Sequence, residues 1–229
     1  MAKPKGDPTE NKQAWDALYR KTEGSVWGSA PIPFVETFVA ALAGEFTEDS
    51  RLLDAAAGDG RHVPVLLGVP GQIHVCDASP HALEKLARFN GKVEQRRCDL
   101  ADTGFEDDFF DFISLIDTIE TLPDPRECLT ELCRIVKPGG KLLCNIPGKD
   151  DDISDVSMDP LHVNGDDSYL YQGTYYYRFF MEQEALDLVA GCGFELLRNE
   201  ISHWREKAHP GFRDYAHEHT SRVLLLGKR

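Results

Sequence analysis

A doubly wound α/β fold is predicted for this 229-residue sequence by three observations. From Arg51 onward, short apolar runs alternate with helical patterns, the signature of a parallel sheet. The first run, Arg51-Leu-Leu-Asp-Ala55, ends in an acid and enters a turn of small residues, Ala56-Ala-Gly58-Asp-Gly60. The next two predicted strands also end in acids, Asp77 and Asp99. In open α/β sheets ligands bind just outside the carboxyl ends of the strands, so acids and small residues there mark a binding cleft.

The elements follow in order. Residues 1–13 are polar and expected to fray. Trp15, Leu18 and Tyr19 place an i, i+3, i+4 stripe on a short amphipathic helix. A loop over 21–30 leads to a second helix from Pro31 to Phe46, with Phe34, Phe38, Leu42 and Phe46 in step. Strands are predicted over 51–55, 72–77, 93–98, 110–116 and 141–146. Ser79-Pro80 opens the helix after the second strand, serine as N-cap and proline at the first helical position. Another helix covers 125–136, and Lys137-Pro-Gly-Gly140 turns into the fifth strand. Residues 147–174 carry Asp150, Asp151, Asp152, Asp155, Asp159, Asp166 and Asp167 with few apolar anchors, and a loop this long points to function or disorder. A helix over 182–190 is stopped by Gly191-Cys-Gly193, and strands over 194–201 and 222–226 complete the pattern. The length fits one domain over 1–229, made of a helical cap (1–48), a core (49–147) and a substrate-side insert with C-terminal strands (148–229).

Composition narrows the function classes. The formal net charge is −14, with no Lys/Arg cluster, whereas phosphate backbones demand concentrated positive charge. Nucleic acid is therefore not the expected partner. The six cysteines form no CxxC pair and read as small buried hydrophobes in a reducing compartment. No run approaches the length of a membrane span and the N-terminus has no apolar signal region, so a cytoplasmic protein without a membrane partner is expected. Oligomeric state is not readable.

The turn after the first strand lacks the third glycine of a dinucleotide fingerprint, since Arg61, His62 and Val63 follow Gly60. Asp54, Gly58 and Gly60 instead resemble the first motif of class I S-adenosylmethionine (SAM) methyltransferases, with Ala56 where that family has its first glycine. Alanine is small but is expected to bar a strongly positive φ. The later motifs extend the resemblance: Asp77, Cys98-Asp99-Leu100, Asp117-Thr-Ile-Glu-Thr121, then Leu129 through Leu143 at helix-turn-strand spacing. It covers 51–146 and continues through Arg178–Leu186 and Ala190–Phe194. It implies a seven-stranded sheet ordered 3-2-1-4-5-7-6 with the last strand antiparallel, SAM as methyl donor and S-adenosylhomocysteine as product. Residues implied at the donor are Asp54, Ala56, Gly58, Gly60, Asp77 and Ala78 (ribose side), Asp99 and Leu100 (adenine side), Asp117, and Trp27 from the covering N-terminal segment. One departure stands out, since many relatives have Glu-His after the fourth strand and this chain has Glu120-Thr121.

The acceptor end falls in His203–Ser221, which holds four of the eight histidines. Three readings stand. His209, His217 and His219 line an acceptor pocket as candidate bases, with Arg213 holding a carboxylate or phosphate. Alternatively, His217 and His219, with His209 or His162, bind a metal, since His-x-His on an extended segment points both side chains to one face. In the third reading these histidines are structural. Tyr171 and Tyr177, with His162, are candidate walls for the acceptor, although Tyr175–Tyr177 also reads as an extended entry to the next helix. The predicted function is methyl transfer from SAM to a small molecule. The alternatives are a nucleic-acid or protein methyltransferase and a non-catalytic SAM-binding regulatory or scaffold subunit.

Overall fold

The computed structural model describes residues 8–148, 158–160, 167–209 and 211–228. Two helices, α1 (Pro8–Lys21) and α2 (Pro33–Leu42), precede β1 (Arg51–Ala55). Then come α3 (Val63–Leu66), β2 (Gln72–Asp77), α4 (Pro80–Lys85), β3 (Glu94–Arg97), β4 (Phe110–Leu115), α5 (Pro125–Ile135) and β5 (Val136–Pro147). The chain continues through β6 (Met158–Pro160), β7 (Ser168–Tyr171), β8 (Tyr175–Arg178), α6 (Glu182–Ala190), β9 (Phe194–Glu206) and β10 (His217–Lys228).

Seven strands form one sheet in the order β3-β2-β1-β4-β5-β10-β9. Because β9 and β10 are the sixth and seventh strands of this sheet along the chain, the order is the expected 3-2-1-4-5-7-6. β1 to β5 pair in parallel, and β10 runs antiparallel to both β5 and β9. Both faces are covered, as a parallel sheet requires. Leu129 and Leu132 of α5 and Leu188 of α6 pack on one face. Phe34 and Phe38 of α2 and Leu66 of α3 pack on the other, against Leu52 and Phe112. Full burial of a side chain the size of Phe112 contributes ~1.5–3 kcal/mol, which makes these two layers the source of the sheet's rigidity. The Ser79 cap forms as expected, its hydroxyl accepting from the Ala82 amide. Among the described residues no helix is long and apolar enough to cross a membrane.

Four elements differ from expectation. Helix α1 starts at Pro8 rather than after residue 13, because Asn11 bridges the Thr121 carbonyl and the Tyr176 amide and so ties that turn down. The second helix is shorter than 31–46, since the α-helix ends at Leu42 and a 3₁₀ turn follows at Ala43–Glu45. β5 starts at Val136 instead of Lys141, with Lys137–Gly140 absorbed as an irregularity between Phe110 and Phe112 of β4. The last hairpin is much longer than its apolar stretches, with twelve residues of β10 paired from His217–Glu206 to Lys228–Phe194. β9 is an edge strand that continues past its apolar start through the mostly polar residues Ser202–Glu206, so hydrophobic patterning understates its length. The segment 203–221, expected to lie between the last two strands, is therefore strand at both ends.

The described parts of the acidic insert are not a loop either. β6, β7 and β8 form a separate antiparallel sheet. Asp150, Asp151, Asp152, Asp155, Asp166 and the candidate His162 lie outside the described residues. Tyr171 and Tyr175 of this small sheet join Leu18 of α1 and Phe212 in an aromatic cluster. That cluster holds α1 against the end of the main sheet.

Candidate active site

A cavity of about 220 Å³ opens where β1, β2 and β4 end, lined there by Ala56, Asp77 and Ile116. This is the position at which the strand order reverses between β1 and β4.

At one end of the cavity the turn after β1 is tightly built. Ala56 adopts φ 53°. The expectation that alanine bars a positive φ is thus overturned, and the turn accepts a strain of ~1–2 kcal/mol there. Gly58 lies at φ 54°, and a Cβ on it would stand 2.5 Å from the Tyr19 hydroxyl oxygen. Two residues implied at the donor do not reach the cavity. Gly60 instead lets the turn pack, since a Cβ there would lie 2.4 Å from a Leu86 methyl. Asp54 is buried in the sheet, its Oδ1 accepting from the Ser114 hydroxyl at 2.8 Å. Burial pushes the Asp54 carboxyl up to about 7, with the nearby Asp77 charge adding to the rise and the Ser114 bond opposing it.

Asp77 does line the cavity. Its two oxygens accept from the Gly58 amide at 2.9 Å and the Ser79 amide at 2.8 Å, which joins the β1 and β2 turns. Burial pushes its carboxyl up to about 6, although these backbone N–H groups favour the charged form. Ala78, Asp99 and Leu100 line the same end. Asp99 is not free, because Lys12 of α1 forms an ion pair with it. Burial works against its charge, but the Lys12 bond and backbone N–H groups outweigh burial and lower its pKa.

Helix α1 and the loop after it close this end from above. Asp16 accepts from the Ser79 hydroxyl at 2.6 Å. The Trp27 indole N–H donates to the Tyr19 hydroxyl at 2.9 Å, and Tyr19, Trp27 and Trp15 all line the cavity. Trp27 is held by Asp59, a buried acid inside the β1 turn that accepts from the Ser25 hydroxyl at 2.7 Å and the Val26 amide at 2.5 Å.

The opposite end is built by the β9–β10 hairpin and the start of the β4 loop. Glu206, the last residue of β9, is buried and receives three groups. Arg61 Nη2 lies 2.7 Å from Oε1, the Trp204 N–H donates to Oε1 at 2.8 Å, and His209 Nε2 donates to Oε2 at 2.9 Å. Burial opposes the charge, yet His209, Arg61 and Trp204 together hold the carboxyl far below the ordinary range. His209 and Arg213 face each other as an antiparallel bridge, with the His209 amide donating to the Arg213 carbonyl at 2.6 Å. Opposed residues of such a pair put their side chains on one side, and both line the cavity. His217 Nδ1 donates to the Tyr215 carbonyl at 3.0 Å, leaving Nε2 as the ring's acceptor. Burial, reinforced by the Arg213, His219 and His209 charges, pushes His217 down to about 4, so it is neutral at pH 7. His219 stacks on Trp204 with ring centroids 4.8 Å apart. Asp117, at φ 47°, is gripped through both backbone and side chain by Asn145, which also donates to Ser221.

The structure thus brings His209, Arg213, His217, His219, Asp117 and Tyr177 to the lining of one cavity. Tyr171 is not on it. Its hydroxyl donates to the Phe212 carbonyl at 3.0 Å, so it supports the 207–216 segment from behind and the expectation of a substrate contact is corrected. Among the described residues no group of three or more His, Cys, Asp or Glu is placed to hold a metal. Four contributors were not foreseen: Glu206, Asp59, Glu120 and His62. Glu120 and His62 line the cavity, both buried, and burial with the Arg61 charge pushes His62 down to about 3. His62 immediately follows the recognised turn, which was an available signal. Glu206 carried none.

Comparison with known proteins agrees with this geometry. The Methyltransferase domain family matches residues 53–144. A demethylmenaquinone methyltransferase of Clavibacter sepedonicus is 35% identical over 109 residues, covering 46% of this chain and 42% of that protein. The chain spans less than half the length of the curated relatives it matches. Among solved structures, a 1,6-didemethyltoxoflavin-N1-methyltransferase of Burkholderia thailandensis, with 1,6-didemethyltoxoflavin and S-adenosylhomocysteine bound, superimposes with a TM-score of 0.68 at 18% identity, covering 100% of this chain and 91% of that one. A SAM-dependent methyltransferase of Methanosarcina mazei gives a TM-score of 0.65 at 19% identity, covering 82% and 96%. At these identities the two structures are evidence of fold.

Proposed function

The chain carries a class I, SAM-dependent methyltransferase domain, and from that premise we propose that it transfers a methyl group from SAM to a small-molecule acceptor. One observation supports this above the others. A single cavity joins the strand-end acids Asp77 and Asp99 to the His209, Arg213 and His217 wall, beneath a lid made by the chain's own N-terminal helix.

The residues at the first end fit SAM. Asp77 is desolvated and its pKa is raised, the state of an acid that gains from further hydroxyl donors such as those of a ribose. Gly58 and Ala56 keep side-chain bulk away from the backbone there. Asp99 suits an exocyclic amine, with Lys12 holding the carboxylate charged beforehand. Trp27 and Tyr19 cover this end. When bound, SAM supplies a methyl group already activated by its sulfonium. Alignment then becomes the protein's main task, and orientation alone can lower a barrier by roughly 7–11 kcal/mol.

The second end prepares proton removal from the acceptor. Glu206 accepts a hydrogen bond from His209 Nε2, so in the neutral ring Nδ1 is the acceptor. His217 offers Nε2 in the same way, its Nδ1 proton being held by the Tyr215 carbonyl. A positioned base contributes ~10²–10⁴-fold where the acceptor must lose a proton. The net charge of −14 disfavours a nucleic-acid acceptor, and six free thiols fit a cytoplasmic setting.

Calorimetry with S-adenosylhomocysteine tests the first half of the reading, and the absence of binding would overturn it. A labelled-methyl assay against metabolite, peptide and RNA pools tests the second. Label in the metabolite pool alone is expected. Label in RNA or peptide, or in none, would favour a macromolecular methyltransferase or a regulatory SAM-binding subunit.

A further inference from the structure

Three cations other than histidine line the cavity among the described residues: Lys12, Arg61 and Arg213. Lys12 is paired with Asp99, and Arg61 with Glu206. Arg213 differs from both. It is 2% exposed, and its Nε and Nη1 are buried without a hydrogen-bond partner. A guanidinium does not escape such a site by deprotonation, so the buried charge is left uncompensated. Its position is nonetheless built rather than incidental. The backbone bridge to His209 fixes its direction, and the preceding carbonyl, on Phe212, is held by the Tyr171 hydroxyl at 3.0 Å and the Gln172 amide at 2.6 Å. Two well-made hydrogen bonds thus secure a residue whose Nε and Nη1 donate to nothing.

We propose that Arg213 anchors a carboxylate on the methyl acceptor, an inference that rests on the methyltransferase reading. The planar fork of a guanidinium matches a carboxylate through two parallel N–H···O bonds. Charge selects the monoanion. Asp77 and Asp117 line the same cavity and Glu206 is already matched by Arg61, so one added negative charge meets Arg213 while the second charge of a phosphate dianion meets only acids. Next to the anchor stand flat apolar walls. Trp27 meets Phe212 edge-on at 5.3 Å, and Trp15 lies 5.4 Å from Phe212. The acceptor class is therefore a small planar, predominantly apolar molecule bearing a carboxylate. Arg213 binds and orients that group, and proton removal belongs to the neighbouring histidines.

The test compares the wild type with Arg213→Gln and Arg213→Lys. S-adenosylhomocysteine binding, measured by calorimetry, reports both the fold and the donor site. Thermal-shift titrations with the donor site saturated then use matched probes: benzoate and benzamide, indole-3-acetate and indole-3-acetamide, and phenyl phosphate. S-adenosylhomocysteine affinity is expected to stay within about 2-fold of wild type in both variants. The acids are expected to bind the wild type on the order of 10- to 100-fold better than their amides. Arg213→Gln should abolish that preference and Arg213→Lys should keep part of it. A parallel loss of S-adenosylhomocysteine binding in Arg213→Gln would assign the guanidinium to the donor and overturn the proposal. Equal binding of acids and amides, no binding of any acid, or tighter binding of phenyl phosphate than of benzoate would overturn it too. If wild-type protein fails to bind S-adenosylhomocysteine, it is the methyltransferase reading that fails, and the same titrations run without it still decide the carboxylate preference.

Discussion

Glu206→Gln is the substitution that most directly probes how the two ends of the cavity are joined. Glu206 sits at the end of β9, yet its Oε1 takes Arg61 at 2.7 Å from the turn after β1, along with the Trp204 N–H at 2.8 Å. Its Oε2 takes His209 at 2.9 Å. Glutamine keeps the volume but removes the charge and turns one oxygen into a donor. The Glu206 and Arg61 side chains are 3% and 13% exposed, so solvent screening does little to soften the loss. Breaking a buried pair from one side costs about 3–5 kcal/mol. In a chain of this size each kcal/mol lowers Tm by roughly 2–4 °C, so a fall of at least ~6 °C at pH 7 is expected. The pH dependence has a definite sign. The folded pKa of Glu206 is depressed, so its stabilisation is complete above the unfolded value of about 4.3 and lost as pH falls through the folded value. The Tm gap between wild type and variant should therefore narrow as pH drops below about 4. Turnover should fall as well, by at least about 10-fold, because the new amide favours the His209 tautomer protonated on Nδ1, which no longer accepts a proton there. Melting curves across pH, paired with steady-state rates once an acceptor is known, decide the matter. A Tm drop under ~2 °C with unchanged turnover would refute the idea that this carboxylate couples the two ends.

Three further outcomes are expected. Asp77→Ala removes the acceptor of both the Gly58 and Ser79 amides and should weaken S-adenosylhomocysteine by roughly 10- to 100-fold; calorimetry showing wild-type affinity would contradict the role given to Asp77. Ala56→Gly relieves a left-handed alanine, so urea denaturation should find the variant between unchanged and ~1 kcal/mol more stable; a loss of 1 kcal/mol or more would mean that the turn is not strained. Asp54→Asn concerns a carboxyl whose folded pKa is raised to about 7, so its stabilising contribution is full below the unfolded value and lost as pH rises through about 7. Relative to Asp54→Asn, wild-type stability should accordingly fall between about pH 4 and 7, by up to ~1.4 kcal/mol per pH unit; identical pH profiles would show that the charge on Asp54 is not suppressed by burial.

The two ends of the cavity were unequally legible, and the reason is chain distance. At the donor end, Ala56, Gly58, Asp77 and the Ser79 cap are each set by local rules: where an acid ends a strand, where a small residue turns, where a serine precedes a proline. Even there, locality misplaced Asp54 and Gly60, which share the motif but point into the sheet and toward Leu86 rather than into the cavity. At the acceptor end, the residue types were visible but their geometry was not. His209 and Arg213 meet through a backbone bridge that no spacing announces, and His217 and His219 lie on a strand whose polar alternation concealed it. Glu206 is the limiting case. It acquires meaning only when the hairpin folds back across the sheet to Arg61, so no window of sequence containing one of them contains the other.

That same long-range closure constrains how the site assembles. Lys12 on Asp99, Asp16 on Ser79 and Asn11 on Thr121 fasten α1 to the ends of β3, β2 and β4, while Glu206 fastens the last hairpin to β1. Each fastening pairs a group from outside the 53–144 match with one inside it or immediately beside it. The matched core supplies the strand-end acids, and the flanking segments supply the lid, His209 and Arg213. On the proposed assignment, chains that share such a core can diverge in acceptor without altering the donor-side turn, since His209, Arg213 and His217 are carried by elements that lie outside the match.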